Sequence, residues 1–227
     1  MHRRLSTLLG LLLWPLATIA QEPALISGPT AGSKAGAASC YALTGPLAGQ
    51  EFDAMEKIGS APGALLFIHD LSRNTAPVIR KLDELGHEHS LLGFQWFSIM
   101  LNDDRTAGEA MLKRVNGSLK LHNPLILSLD GLEGPGDYAL NRKCTLTLVL
   151  MKEGVVTESI ALTDTGMNDF PKLEQWVESV AGTMPEGDEA LRALMTKNLP
   201  DETRALKDLA VNQMLEIRRL RTQLAKA

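Results

Sequence analysis

Apolar positions recur along this chain in two alternating rhythms. Short, nearly unbroken apolar runs bounded by turn residues read as buried strands: ALLFIH over 64–69, FQWFSIML over 94–101 and PLILSLDG over 124–131. Between them, apolar residues at three- and four-residue steps predict helices over 75–92 and from Asn102 to Leu119. Asn102 is the expected N-cap of the second, with Asp103 and Asp104 favourably placed in its first turn. TLTLVLMKEGVVTESIAL, 145–162, predicts a hairpin with Glu153-Gly154 at its tip, and 167–181 a closing helix capped by Asn168. Upstream, Cys40 to Leu43 reads as a short strand and 51–58 as a short helix. Strand and helix alternate, which predicts α/β layering with helices on both faces of one sheet and right-handed crossovers.

The flanks read differently. Residues 21–39, QEPALISGPTAGSKAGAAS, are poor in large apolar side chains and predict a flexible tether. Residues 183–227 form a helical extension: a short amphipathic helix over 189–197, a break at Pro200, and a long helix over 201–226. On that helix Leu206, Ala210, Gln213, Ile217, Leu220 and Leu224 follow heptad spacing. The seam suits either packing on its own domain or homo-oligomer formation through 201–226. Its basic end, Arg218, Arg219, Arg221 and Lys226, complements the helix C-terminus.

Residues 1–20 stand outside the fold. Arg3 and Arg4 precede the apolar run LLGLLLWPLATIA, which ends in small residues before Gln21. This is the layout of a signal peptide cleaved after Ala20, and the run is too short for a comfortable membrane span. The expected location is periplasmic or extracellular. Loss of the two arginines moves the net charge from −4 to −6, so a nucleic-acid partner has no electrostatic support. In an oxidising compartment the two cysteines, Cys40 and Cys144, are candidates for a disulfide, and geometry decides whether they pair.

Asp70-Leu71-Ser72-Arg73-Asn74-Thr75 joins the strand at 64–69 to a helix that carries Pro77 near its start and LDEL further on. This strand–turn–helix, followed by the rest of the element order over 40–182, resembles the thioredoxin-like superfamily. The added helix and the LSLDG strand ahead of the hairpin resemble its peroxiredoxin and TlpA-like subgroup. The resemblance implies a three-layer α/β sandwich with the C-terminal helical extension outside it. It also implies that Ser72 and Thr75 hold the places of the two cysteines of a CxxC redox turn. The family's cis-proline ahead of the hairpin is absent too, and Cys144 falls at or within two residues of its place.

Disulfide exchange needs a thiolate of lowered pKa, which a hydroxyl cannot replace. Ser72, Asn74 and Thr75 are good helix caps instead. Two readings of Cys144 stay open: a small buried residue, bridged to Cys40 or not, or the reactive thiol of a redox or mixed-disulfide site. His69 and Asp70 end the same strand and are weak candidates for metal ligands beside Cys144 or for an acid–base pair, lacking any characteristic ligand spacing. His87 and His89 sit at a helix end and His122 in a loop. No phosphate-binding, dinucleotide, hydrolase or metalloprotease motif is present, so no cofactor and no metal are expected. The sequence leans toward a binding or scaffolding module for an unidentified protein partner. The alternative is a thiol–disulfide oxidoreductase using Cys144, with or without Cys40.

Overall fold

The computed structural model describes residues 25–197 and 204–224. The expected signal segment and Pro200 lie outside the described residues. In chain order the elements are β1 (Ser39–Tyr41), β2 (Glu51–Asp53), α1 (Ala54–Ile58), β3 (Gly63–Ile68), α2 (Thr75–His89), β4 (Gln95–Met100), α3 (Arg105–Leu119), β5 (Ile126–Ser128), β6 (Leu146–Lys152), β7 (Val155–Leu162), α4 (Phe170–Ala181), α5 (Asp188–Lys197) and α6 (Arg204–Leu224). The strands form one seven-stranded sheet in the order β2-β1-β5-β4-β3-β6-β7. Strand β3 lies inside it, parallel to β4 and antiparallel to β6.

The strands read as unbroken apolar runs because both faces of the sheet are covered. Ala64, Leu66 and Ile68 of β3 join Leu146, Leu148 and Leu150 of β6 in a core with Val78, Ile79 and Leu82 of α2, Leu112 of α3 and Leu173 and Val177 of α4. Leu65 and Phe67 point the other way, with Ile99, Val149 and Met151, into a second core. Helices α2 and α3 share one face, as two successive crossovers of one hand require. The opposite face is covered by short α1 and by irregular backbone: the Tyr138 ring meets Phe67 at a 58° tilt, 4.8 Å between ring centroids, and Leu132 and Leu140 pack alongside. Helical layers on both faces were expected; the second layer is mostly loop.

Residues 25–38, expected as part of a tether, lie against the sheet. Gly32 N–H donates to Val156 O (2.8 Å) and Val156 N–H to Ser33 O (2.9 Å), while Ala35 N–H reaches Gly154 O (3.0 Å). Ala35 and Ala38 are buried, and Tyr138 Oη donates to Gly36 O (2.9 Å). Backbone hydrogen bonds, not large side chains, hold this segment, so its composition gave no sign of order.

Other local expectations shift by a few residues. Asp104, not Asn102, caps α3, accepting from Ala107 N–H at 3.0 Å, while Asn102 Oδ1 accepts from Asp104 N–H. Asp169, not Asn168, closes the turn before α4 by accepting from Gly166 N–H. Residues 51–53, expected to be helical, pair with β1, and Asp53 caps the helix that follows. The hairpin tip falls where expected: Glu153 and Gly154 both take positive φ, 55° and 74°, the conformation that a tight two-residue turn needs.

Asp83 of α2 fixes the loop ahead of β5. It is buried, and its carboxylate accepts from Trp96 Nε1 (3.2 Å), His122 N–H (2.7 Å) and Asn123 N–H (2.9 Å). One turn on, Gly86 leaves room for the Trp96 ring, which a Cβ there would enter. Asp83→Ala strands three donors, and at roughly 1–3 kcal/mol for each buried unsatisfied group the variant is expected to lose about 3 kcal/mol or more. Urea unfolding of the two proteins measures this; a loss within ~0.5 kcal/mol contradicts the assignment.

Candidate functional site: the rim at the end of strand β3

Strand β3 ends where the carbonyl of Thr145 accepts from both His69 N–H (3.0 Å) and Asp70 N–H (3.2 Å). The chain then leaves the sheet and α2 begins. Ser72 N–H donates to Thr75 Oγ1 (2.9 Å), the Thr75 hydroxyl donates to Ser72 O (3.2 Å), and Ala76 N–H closes the first turn on Ser72 O (3.1 Å). Thr75, the first residue of α2, thus closes its side chain back onto the backbone of Ser72 in the turn that leads into the helix. Thr75 is buried and Ser72 half-buried, while the Asn74 side chain makes no capping bond. The two residues at the expected redox positions are brought together: the Thr75 hydroxyl bonds the Ser72 backbone, and the two hydroxyl oxygens lie 3.5 Å apart.

The cysteines are not brought together. Cys40 lies in β1 and Cys144 two residues ahead of β6, with β5, β4 and β3 between those strands. At ~4.8 Å per strand the separation is about 19 Å, far beyond disulfide reach. Both are free and buried, so the candidate pairing is corrected. Burial, with Asp130 and Asp53 nearby, drives the Cys40 thiol far above its ordinary range. Burial also raises the Cys144 thiol, against the opposing hydrogen bonds of Ser27 and Thr147. Ser27 is the hub of this cluster: its Oγ lies 2.6 Å from Thr147 Oγ1 and accepts from Asn141 N–H at 2.9 Å. The N-terminal segment thus ties Cys144 down, a role for Ser27 that its glycine- and alanine-rich surroundings concealed.

His69 sits at the rim with both ring nitrogens buried and without a hydrogen-bond partner. Burial lowers its pKa, the Arg142 charge lowers it further, and Glu133, paired with Arg142 at 2.5 Å, acts in the opposite direction. Asp70 is exposed. Among the described residues, no group of three His, Cys, Asp or Glu side chains is placed to hold a metal. His87 and His122 stack at 3.8 Å, a pair that sequence spacing did not suggest, and burial followed by the His122 charge lowers the His87 pKa. Where β4 and β5 end, a cleft between Asn102, Arg105, Ser128 and Gly131 holds about 140 Å³, below the ~300 Å³ of small-molecule sites.

No family model and no curated protein matches the chain by sequence. Its fold matches solved structures. A thiol:disulfide interchange protein DsbE assigned in Chlorobium tepidum aligns with TM-score 0.55 and 17% identity, over 68% of this chain and 99% of that one. A protein disulfide isomerase assigned in Bacteroides thetaiotaomicron aligns with TM-score 0.54 and 16% identity, over 70% of this chain and 96% of that one. The fold is thioredoxin-like, an α/β sandwich around a mixed sheet. No helix among the described residues is long and apolar enough to cross a membrane.

The two lowered histidine pKa values set a pH response. A group whose native pKa lies below its unfolded value of 6.5 resists protonation in the fold. Its contribution is complete above that value and declines as pH falls below it, toward the native pKa. Stability measured by urea midpoint is expected to fall between pH 7 and pH 5, less steeply in His69→Leu. An identical slope in that variant removes His69 as a source.

Proposed function

We propose that this protein is an exported thioredoxin-like module that binds or scaffolds a protein partner and carries no redox dithiol. The observation that carries the reading is the Ser72–Thr75 pair. A helix N-terminus that lowers a thiol pKa in a dithiol enzyme here meets two hydroxyls, and the Thr75 hydroxyl is spent on the backbone N–H and carbonyl of Ser72. The thiols give no substitute, because both are buried and raised in pKa rather than lowered. The small cleft favours a macromolecular partner over a small ligand. The export reading rests on Arg3, Arg4 and the apolar run up to Ala20.

The rival is a thiol–disulfide oxidoreductase using Cys144, with or without Cys40. One preparation, purified from the periplasm or medium, separates the two. Its mass should correspond to a chain starting at Gln21; an intact first segment contradicts cleavage. Its thiols should react with a thiol reagent only after unfolding, and it should not catalyse insulin reduction. Ser72→Cys/Thr75→Cys, which restores the dithiol to the helix terminus, should gain that activity. Insulin reduction by the natural chain that Cys144→Ser abolishes replaces the module reading with the enzyme.

A further inference from the structure

Helix α6 presents two different faces. Val211 and Leu215 are buried against Leu191 and Met195 of α5. Arg219 pairs with Asp188 and Arg192 with Asn212, which locks the two helices together. The other face is apolar and uncovered: Leu206, Leu209, Met214, Ile217, Leu220 and Leu224 are 44–78% exposed. Six large apolar side chains on one side of a 21-residue helix form a contiguous patch along its whole length of about 31 Å. Such a face needs an occupant, and three features of the helix identify a second copy of it.

The first is spacing. With Ala210, Ile217 and Leu224 at heptad position a, Leu206, Gln213 and Leu220 fall at d. An Ile at a followed by Leu at d is the pairing that favours two parallel strands. The second is placement. Leu215 falls at f, the position farthest from the a/d seam, and Val211 at b. The face used for α5 therefore points away from the seam, which leaves the seam on the opposite side of the helix. The third is complementarity. In a parallel pair, Glu216 at g lies opposite Arg221 at e of the other copy, and Gln213 meets its own counterpart, where two amides can hydrogen-bond. An antiparallel pair centred on the seam would set Gln213 against Ile217.

We infer that the chain forms a parallel dimer through the exposed seam of α6. Three heptads make a small interface, so dimerisation should depend on concentration. The inference is independent of the chemistry at the rim.

Sedimentation of the full mature chain over a range of concentrations tests it. The expected result is a shift toward twice the monomer mass, lost in Ile217→Lys/Leu220→Lys. Both positions are about half exposed, so the circular dichroism spectrum of the variant should be unchanged. Under mild oxidation Gln213→Cys should trap a covalent dimer, whereas Thr222→Cys, at position f, should not; the two native thiols are buried. Monomer mass at every concentration up to about 1 mM overturns the inference and assigns the seam to another protein or a lipid surface. A dimer unaffected by the double lysine variant overturns the seam. A dimer that the lysines abolish but Gln213→Cys fails to trap overturns the parallel register.

Discussion

The doubled acceptor at Thr145 determines how the rim is built. Its carbonyl ends the β3–β6 ladder by taking two successive N–H groups, from His69 and Asp70. That releases β3 from the sheet at one defined point, places the first turn of α2 over the strand ends, and holds Cys144 beside the start of β6. Strand β3 is buried on both faces and bonded on both edges, so none of these positions can drift without breaking its ladder. The core on one side and the loop-covered layer on the other are both built against it.

A helix N-terminus offers unpaired N–H groups and a positive field, and a protein can use them for chemistry or for closure. Here they serve closure. The Thr75 hydroxyl closes on the Ser72 backbone, and the two ring nitrogens of half-buried His69 have no partner. Cys144 belongs to a different set of contacts, with Ser27 and Thr147, reached only because the N-terminal segment folds back onto the sheet. Burial governs both thiols, and burial disfavours the thiolate on which exchange depends.

Helix α6 divides its apolar residues between two partners. Its f and b positions stitch the extension together through α5, and its a and d positions remain in water. Two such stripes on one helix are more than one amphipathic face requires.

The sequence by itself determined the order and type of the central elements and the absence of a dithiol. Strand runs, helix periods and the Glu153-Gly154 tip are local properties, and residues within a few positions carry them. That this turn carries good helix caps was equally legible, but Ser72, Asn74 and Thr75 were equal candidates, and only the structure put the Thr75 hydroxyl on the Ser72 backbone. What depended on distant partners was not legible. Asp104 rather than Asn102 caps α3, and the side chain of neighbouring Asp103 is spent on Leu132 N–H, a partner 29 residues away. Cys40 and Cys144 were candidates to bridge until strand order set three strands between them. The glycine- and alanine-rich residues 25–38 read as tether because their order comes from backbone bonds to β7 and its hairpin turn, which composition does not encode. Spacing marked the α6 seam, but only tertiary packing decided that α5 takes the other face and leaves the seam exposed.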